Sequence, residues 1–302
     1  MNASATESVS APGPAEPPWL DRTLYPFESH FLTLPEGRVH YVDEGPRTGT
    51  TLLCLHGNPT WSFLYRDVIA SLSEEIRVVA PDLLGFGLSD KPADFSYLPR
   101  DHARVFERVV DDLGLDDVVL VVHDWGGPIG LDWATRHPDR VRGVVVTNSW
   151  MWPHDSTRVR LFGRFLGGML GREAILRFNA FARVVVPLSF ADRSRLSPAV
   201  HRHYVAPLST PEKRKGSWVF PRELLGSSVW LGDLWTRRGA LADVPVLLVW
   251  GLDDPAFGGE LDRWQRAFPR VRTVPLDGCG HYVAEEHGRE LAAAIDGFLT
   301  TL

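Results

Sequence analysis

The sequence predicts an α/β fold in which a mostly parallel central sheet is flanked by helices and interrupted by an inserted helical cap. Two observations predict it. Short, continuous runs of β-branched and other apolar residues recur along the chain, as in strands that are buried on both faces of a parallel sheet. Helical patterns separate several of these runs, which is the order of elements in a doubly wound α/β protein.

The predicted elements form two blocks, one on each side of the cap. The first block contains five strands, at residues 39–45, 51–57, 76–82, 117–123 and 143–149. Its helical patterns lie at 100–113 and at PIGLDWATRH (128–137). In the second block, strands at 244–251 and 271–278 are followed by helical patterns at 259–268 and 285–300. The core is therefore predicted to comprise residues 21–148 and 237–302.

The stretch 149–236 is predicted to form the cap, because strand patterns stop there and turn-forming residues separate helical segments. It holds five of the eleven tryptophans and carries 13 basic against 6 acidic residues, a net charge of +7. Since the whole chain carries −6, the remainder carries −13. The tryptophans either pack in the core or present an aromatic wall to a site at the carboxyl ends of the strands.

Composition narrows the classes of function. The chain has 302 residues, of which 44% are apolar, which is enough for a large buried core. The net charge of −6 argues against electrostatic binding of nucleic acid, and no run approaches the roughly 20 apolar residues of a membrane span. We therefore expect no nucleic-acid and no membrane partner. Residues 1–20 lack a targeting pattern and are rich in Ala, Pro and Ser, so we expect a disordered arm on a cytoplasmic protein.

Neither a cofactor nor a metal ion is expected. The two cysteines, Cys54 and Cys279, cannot form a disulfide framework, which agrees with a reducing compartment. No group of Cys or His residues has the spacing of a known metal site.

A strand-to-helix turn at Asp124 is the first candidate for chemistry. The strand at 117–123 is followed by Asp124, Trp125 and two glycines, and then by a helical pattern. Small residues at this spacing are typical of a nucleophile elbow, the sharp turn that raises one side chain above the edge of the sheet. That position usually holds Ser. Here it holds Asp, which is either the nucleophile or a helix N-cap.

Two further segments fall where a hydrolase built on such an elbow needs them. HGNP (56–59) follows the run TLLCL, where this architecture supplies one oxyanion-hole amide, the other being the backbone N–H of Trp125. Asp254 and His281 follow the last two predicted strands. The chain therefore presents a nucleophile, an acid and a histidine in the order of a hydrolase triad.

Five strings of the sequence together resemble the haloalkane dehalogenases of the α/β-hydrolase superfamily. They are HGNPTWSFLYR (56–66), PDLLGFGLSDKP (81–92), HDWGGPIG (123–130), WGLDD (250–254) and GHYVAEE (280–286). The resemblance covers most of residues 25–302 and implies an α/β-hydrolase fold. It also implies that Asp124 is the nucleophile, His281 the base, and Trp125 and Asn58 the two halide-stabilising donors.

The position of the triad acid differs between subfamilies of these enzymes. One subfamily carries Glu after the strand VRGVVVTN, and the matching residue here is Asn148. The resemblance then implies that the acid is Asp254, three residues after Gly251. Together with the Asn and Trp donors, this arrangement resembles the third subfamily. The adjacent Asp253 is the alternative acid.

These residue types suit the hydrolysis of a carbon–halogen bond. A Ser nucleophile would form an ether with an sp³ carbon, whereas Asp124 forms an ester whose carbonyl water can attack. His281 would accept the proton of that water while Asp254 orients the imidazole. We therefore expect a small halogenated alkane as the substrate, with an alcohol, a halide ion and a proton as the products.

Three other functions compete with this interpretation. An epoxide hydrolase has the same Asp-His-Asp triad but commonly uses two cap tyrosines as acids, and only Tyr204 lies in the predicted cap. A fluoroacetate-type dehalogenase is expected to carry Arg after the nucleophile, where this chain has Trp125. A non-catalytic relative that acts as a ligand receptor has usually lost its nucleophile or histidine, and this chain has both. The sequence does not indicate an oligomeric state.

Overall fold

In the described part of the chain, the sheet contains eight strands, and six neighbouring strands pair parallel with one another. The computed structural model describes residues 15–302. The strands are β1 His30–Leu34, β2 Gly37–Glu44, β3 Thr51–Leu55, β4 Arg77–Pro81, β5 Val118–Asp124, β6 Val141–Ser149, β7 Val246–Gly251 and β8 Val271–Leu276. Their order across the sheet is β1-β2-β4-β3-β5-β6-β7-β8, and β2 pairs antiparallel with both β1 and β4. The predicted α/β fold with a mostly parallel sheet is confirmed.

Helices flank the sheet and fill the connection between β6 and β7. They are α1 Arg66–Leu72, α2 Pro99–Asp112, α3 Gly126–Ala134, α4 Thr157–Gly167, α5 Met169–Phe178, α6 Val186–Leu188, α7 Pro198–Val205, α8 Lys215–Gly226, α9 Ser228–Arg237, α10 Leu261–Ala267, α11 Val283–Glu286 and α12 Gly288–Leu299. A π-helical turn, Phe181–Val185, leads directly into α6. Among residues 15–302, no helix is long and apolar enough to cross a bilayer.

The continuous apolar runs of β3 and β5 are explained by burial on both faces of the sheet. In β3, Leu53 and Leu55 belong to one hydrophobic cluster, whereas Leu52 and Cys54 belong to the cluster on the other side. Each of these side chains is at most 1% exposed. A leucine buried this completely contributes about 2 kcal/mol relative to an exposed one, so both faces of the strand are selected for apolar residues.

Strand β1 was not among the predicted strands. Its residues, HFLTL, lie at the edge of the sheet and only Leu34 is buried. An edge strand that is half covered lacks the continuous apolar run that identifies the central strands.

The order of the strands locates a crevice. The chain continues from β3 to β4 on one side of β3 and then returns to β5 on the other side. In open α/β sheets, the crevice beyond the carboxyl ends of two such strands is where ligands bind. Asn58 follows the carboxyl end of β3, and Asp124 is the last residue of β5.

The segment between β6 and β7 is helical, from α4 to α9, as predicted for the cap. Helix α4 packs against both α5 and α8. The exact boundaries of core and cap, 21–148 with 237–302 and 149–236, stay a prediction.

The predicted disordered arm, residues 1–20, is too long at its C-terminal end. Residues 1–14 lie outside the described part of the chain. Trp19, however, packs edge-on against Trp61 with ring centroids 5.8 Å apart, and against His203 at 6.1 Å. The prediction of disorder is therefore wrong for residues 17–20, because the contacts of a large aromatic ring offset the entropy lost on ordering this segment.

Candidate active site

The turn at Asp124 has the geometry of a nucleophile elbow. Strand β5 ends at Asp124, whose φ is +48°, and α3 begins two residues later. A Cβ at Gly126 would overlap the carbonyl oxygen of Leu55, so only glycine allows the helix to start this close to β3. The Ser149 hydroxyl donates to the backbone carbonyl of Asp124 at 2.6 Å. The turn therefore presents a buried carboxylate at the crevice.

A loop after β3 holds one oxygen of this carboxylate. The backbone N–H of Asn58 donates to Asp124 Oδ1 at 2.7 Å. A Cβ at Gly57 would overlap the same oxygen, so the approach of the loop requires glycine there. The polypeptide thus supplies an amide donor directly against the carboxylate.

His56 positions that loop, a role that sequence reasoning missed. Its Nε2 accepts from the backbone N–H of Leu83 at 2.9 Å, so Nδ1 carries the proton and donates to the Gly57 carbonyl at 2.8 Å. Burial lowers the pKa of His56, which keeps the ring neutral in this tautomer. The signal for this role in the sequence was a histidine directly after the apolar run TLLCL.

His281 lies between two carboxylates. Its Nδ1 is 2.8 Å from Asp254 Oδ2, and its Nε2 is 3.6 Å from Asp124 Oδ2. Asp253, the alternative acid, is exposed and its Oδ2 accepts from the backbone N–H of Gly278 at 2.8 Å. The structure therefore brings Asp254, and not Asp253, to the imidazole.

Asn148 holds Asp254 in place. Its Nδ2 donates to Asp254 Oδ2 at 2.8 Å and to the Gly251 carbonyl at 2.9 Å, and its Oδ1 accepts from the Gly251 N–H at 2.8 Å. The sequence pointed to Asn148 only as a place where an acid is absent. A polar side chain at the buried end of β6 was the signal for its positioning role.

The two carboxylates control the charge of the imidazole. Burial of His281 favours its neutral form, but Asp254 and Asp124 outweigh burial and raise the pKa of His281 to about 10. Burial likewise opposes ionisation of Asp124 and Asp254, and His281 nevertheless lowers the pKa of both. The free site therefore holds an imidazolium between two carboxylates.

His123 is a second imidazole beside this group. Its ring centroid is 4.6 Å from that of His281, and its Nδ1 is 3.2 Å from the Thr147 carbonyl oxygen. Burial and the neighbouring His281 lower the pKa of His123 to about 3, so it stays neutral. It packs against the charged ring without competing for the proton.

A cavity of about 180 Å³ adjoins the carboxylate. The core contributes polar lining residues to it, Asn58, Asp124, Trp125, His281 and Tyr282 among them, and most cap residues in the lining are apolar: Val159, Phe162, Phe181, Val185, Pro221 and Leu224. Of the described residues, none of the five cap tryptophans lines the cavity. The part of the wall that the cap supplies is mostly apolar and carries two phenylalanines, while Trp150 and Trp152 are fully buried in the core.

Trp125 and Asn58, which both line the cavity, each carry a side-chain N–H donor. The Trp125 ring stacks on Phe220 at 5.2 Å and meets Trp150 edge-on at 4.9 Å. No group among residues 15–302 accepts a hydrogen bond from its indole N–H. Asn58 Nδ2 has only a long contact, 3.4 Å, with the Ser217 carbonyl. The cavity thus offers donors that are free to serve a ligand.

Tyr204, the one tyrosine of the predicted cap, is committed elsewhere. Its hydroxyl donates to Glu285, which also accepts from Arg66 Nη1 at 2.7 Å. Tyr204 is not among the residues that line the cavity. This group joins α7 of the cap to α11 and α1 of the core.

The loop that carries His281 is tied to the cap. The backbone N–H of His281 donates to the Ser189 carbonyl at 2.8 Å. Glu286 accepts from the N–H groups of Gly280 and Ala191, both at 2.9 Å, and burial raises its pKa. Across residues 15–302, no group of three or more His, Cys, Asp or Glu side chains could hold a metal ion.

Several known proteins are similar to this chain in sequence and in structure. The family model for the α/β hydrolase fold matches residues 50–288. Haloalkane dehalogenase 2 of Mycobacterium tuberculosis is 42% identical over 278 residues, which cover 91% of this chain and 96% of that protein. A cis-3-alkyl-4-alkyloxetan-2-one decarboxylase of Xanthomonas campestris is 34% identical over 86% of this chain and 92% of its own length. The crystal structure of the haloalkane dehalogenase DatA from Agrobacterium tumefaciens superimposes with a TM-score of 0.80 at 29% identity, covering 91% of this chain and 96% of DatA.

Proposed function

Since this chain belongs to the α/β-hydrolase fold family and, within it, to the haloalkane dehalogenases, we propose that it hydrolyses haloalkanes to an alcohol, a halide ion and a proton. One observation carries the proposal. The Asp124 carboxylate has one oxygen held by the Asn58 N–H and the other facing His281, at the wall of an apolar cavity. We assign Asp124 as nucleophile, His281 as base, Asp254 as acid, and Asn58 and Trp125 as halide donors.

In the first step, Asp124 Oδ2 attacks the halogen-bearing carbon. Oδ1 accepts from the Asn58 N–H at 2.7 Å, whereas the contact of Oδ2 with His281 is 3.6 Å long, so Oδ2 is the oxygen available for attack. A C–O bond forms as the carbon–halogen bond breaks, and the halide leaves with the bonding electrons. Oδ1 becomes the ester carbonyl oxygen and is already in place to be stabilised as an oxyanion by the Asn58 amide.

The leaving halide gains a full charge inside an apolar cavity. The indole N–H of Trp125 and the amide N–H of Asn58 donate hydrogen bonds but are not acidic enough to transfer their protons to the halide. Their interaction strengthens as the charge develops, so it lowers the barrier to alkylation and does not only bind substrate.

Formation of the ester prepares His281 to act as the base. Two carboxylates raise the pKa of His281 in the free enzyme. Alkylation removes the charge of Asp124 and leaves only Asp254, so the pKa of His281 falls and the imidazolium releases its proton to solvent, which is the proton product of the reaction. The neutral imidazole then accepts one proton of water as the water oxygen bonds to Cγ of Asp124. The Cγ–O bond to the alkyl group breaks and the alcohol leaves with the other water proton, which restores the carboxylate and the imidazolium.

The subfamily and the cellular location are further parts of the proposal. Asp254 after β7, with the Asn58 and Trp125 donors, supports placement in the third subfamily. Cys54 and Cys279 are both buried and free, which supports the cytoplasm as the location.

A product assay tests the function. Purified protein should release equal amounts of bromide and 1-butanol from 1-bromobutane, while Asp124→Asn should release neither. Parallel reactions contain 1,2-epoxybutane and a cis-3,4-dialkyl oxetan-2-one, since some relatives are named for decarboxylation of that class. Diol, or carbon dioxide with an alkene, formed in the absence of any halide release would replace the proposed activity.

Substitutions of Trp125 and Asn58 test their proposed role as halide donors. Trp125→Phe and Asn58→Ala should each lower kcat about 100-fold or more, the usual cost of losing a donor to developing charge. Trp152→Phe is the control, because Trp152 is equally buried but does not line the cavity. Native turnover in Trp125→Phe or Asn58→Ala would remove that residue from the halide site.

A further inference from the structure

The outer face of the cap carries an unusual set of exposed apolar side chains. Among residues 15–302, nine large apolar side chains are exposed, and seven of them lie between residues 161 and 188: Leu161, Phe165, Met169, Leu170, Phe178, Val184 and Leu188. Met169 is 79% exposed and Leu170 is 74% exposed. Concentrated exposure of this kind marks an interaction surface, whereas single exposed apolar residues are ordinary.

These side chains lie on consecutive helices, and their spacing places four of them in pairs on one helix face. In α4, Leu161 and Phe165 are four residues apart and therefore lie on one face, while Val159, Gly163 and Leu166 are buried. Met169 and Leu170 begin α5, which packs against α4. Val184 and Leu188 have the same four-residue spacing in the π-helical turn and α6. We call these seven side chains, with the arginines among them, the outer cap face.

The outer cap face is strongly basic. Residues 157–188 contain six arginines and one acidic residue, Glu173, a net charge of +5. Glu173 pairs with Arg172 and Arg177. The other four arginines, all exposed, make no ion pair with the described residues: Arg158, Arg160, Arg164 and Arg183. Apolar side chains interspersed with unpaired cations are typical of helices that lie in the interface of an anionic bilayer.

The same elements also line the cavity. Arg158 is exposed and also lines the cavity, so the cavity reaches the surface beside α4. Phe162 of α4 and Val185 of the π-helical turn, both partly exposed, line it too. Whatever covers the outer cap face therefore lies next to this entrance.

We propose that the outer cap face docks this protein peripherally on an anionic phospholipid bilayer. A second copy of the chain is a poorer occupant in a face-to-face arrangement, because that would bring together two surfaces of +5. The expectation of no membrane partner rested on the lack of a spanning segment, and interfacial docking does not need one. As a consequence that rests on the proposed function, the cavity receives apolar haloalkanes from the bilayer, where they concentrate.

Co-sedimentation with vesicles tests the docking. Full-length protein is mixed with vesicles of phosphatidylcholine alone or with about 30% phosphatidylglycerol, at low and high salt. Binding is expected to the anionic vesicles and to weaken with salt. Leu170→Gln/Phe178→Gln should bind about tenfold more weakly or worse, since two apolar side chains no longer insert. Arg160→Gln/Arg164→Gln should lose roughly fivefold per arginine.

Val229→Gln is the matched control. Val229 is 89% exposed on α9, outside the outer cap face, so this variant should bind vesicles as the wild type does. Failure of the wild type to bind anionic vesicles, or equal loss in Val229→Gln, would overturn the proposal. An oligomer that Leu170→Gln/Phe178→Gln converts to a monomer, measured by light scattering, would assign the face to a second copy instead. Halide release without vesicles is measured separately, so failure of docking and failure of the proposed function are distinguishable.

Discussion

At the scale of single residues, the site depends on which oxygen and nitrogen atoms face each other. Asp124 offers one oxygen to the Asn58 amide and the other to His281, and Asp254 takes the opposite nitrogen of the ring. Each oxygen of Asp124 and each nitrogen of the His281 ring therefore faces a different partner. Asn148 adds the hydrogen bond that orients Asp254.

The two neighbouring aspartates provide a matched test of the acid. Asp254→Asn should lower steady-state turnover about 10³-fold to 10⁴-fold, because the imidazole loses its orienting and charge-stabilising partner. Asp253→Asn should retain most activity, since Asp253 is exposed and binds only the Gly278 N–H. Steady-state halide release measures both, and the reverse ranking would assign the acid to Asp253.

His281→Phe tests the covalent mechanism. Alkylation of Asp124 does not require the base, so this variant should release about one halide per active site from 1-bromobutane and then stop. Mass spectrometry should find one butyl group on Asp124. The double variant Asp124→Asn/His281→Phe is the control and should show neither halide nor adduct. A His281→Phe protein with no burst would indicate direct attack of water on the carbon, with Asp124 acting as a base.

At the scale of elements, three chain segments converge on one carboxylate. The β5 elbow presents it, the loop after β3 donates to it, and the loop after β8 brings His281 beside it. Close approach is possible because Gly57 and Gly126 have no side chain at the contact points. His56 in turn fixes the β3 loop through a single tautomer.

Gly57→Ala tests this close approach. The added methyl group would overlap Asp124 Oδ1, so the carboxylate or the loop must shift and the Asn58 amide loses its contact. Turnover should fall about 100-fold, as expected for a displacement near 1 Å at the reacting group. Gly239→Ala is the control, because nothing lies within 4 Å of its Cβ position. Equal kcat values in the two variants would show that the loop does not constrain Asp124.

At the scale of the whole molecule, the cap and the core share the site. The core supplies the reacting groups at the carboxyl ends of the strands, and the cap supplies most of the apolar wall. Tyr204 with Glu285 and Arg66, and Ser189 with the His281 backbone, join the two parts. Since Ser189 and His281 both line the cavity, their contact holds the cap wall and the reacting groups in a common geometry.

The charged group at the centre also contributes to the stability of the fold. His281 has a pKa of about 10 in the folded protein, against an ordinary value of 6.5. Its pairing with Asp254 and Asp124 therefore stabilises the fold fully below pH about 6.5, and this contribution is lost as the pH rises toward about 10. The difference in free energy of unfolding between wild type and His281→Gln should narrow between pH 6 and pH 9.5, measured by urea denaturation at about those pH values. A constant difference would contradict the raised pKa.

The sequence alone determined the fold class and the residues that meet at the site. Parallel strands that are buried on both faces appear in the sequence as continuous apolar runs. The residues that follow these strands lie at one edge of the sheet. For that reason Asp124, the segment HGNP (56–59), the pair Asp253 and Asp254, and His281 could be placed at this edge from the sequence, and the family resemblance implied which of them act.

Only the tertiary structure decided how those residues pair and what surrounds them. The choice of Asp254 over Asp253 depended on which carboxylate a turn directs toward His281. The roles of His56 and Asn148, and the packing of Trp19 on Trp61, depend on contacts between residues far apart in the chain. Trp150 and Trp152 are buried in the core instead of lining the cavity, and the outer cap face is exposed, because the direction of each side chain depends on what its segment packs against. The direction of a side chain depends on tertiary packing, and the pattern of residues along the sequence does not specify it.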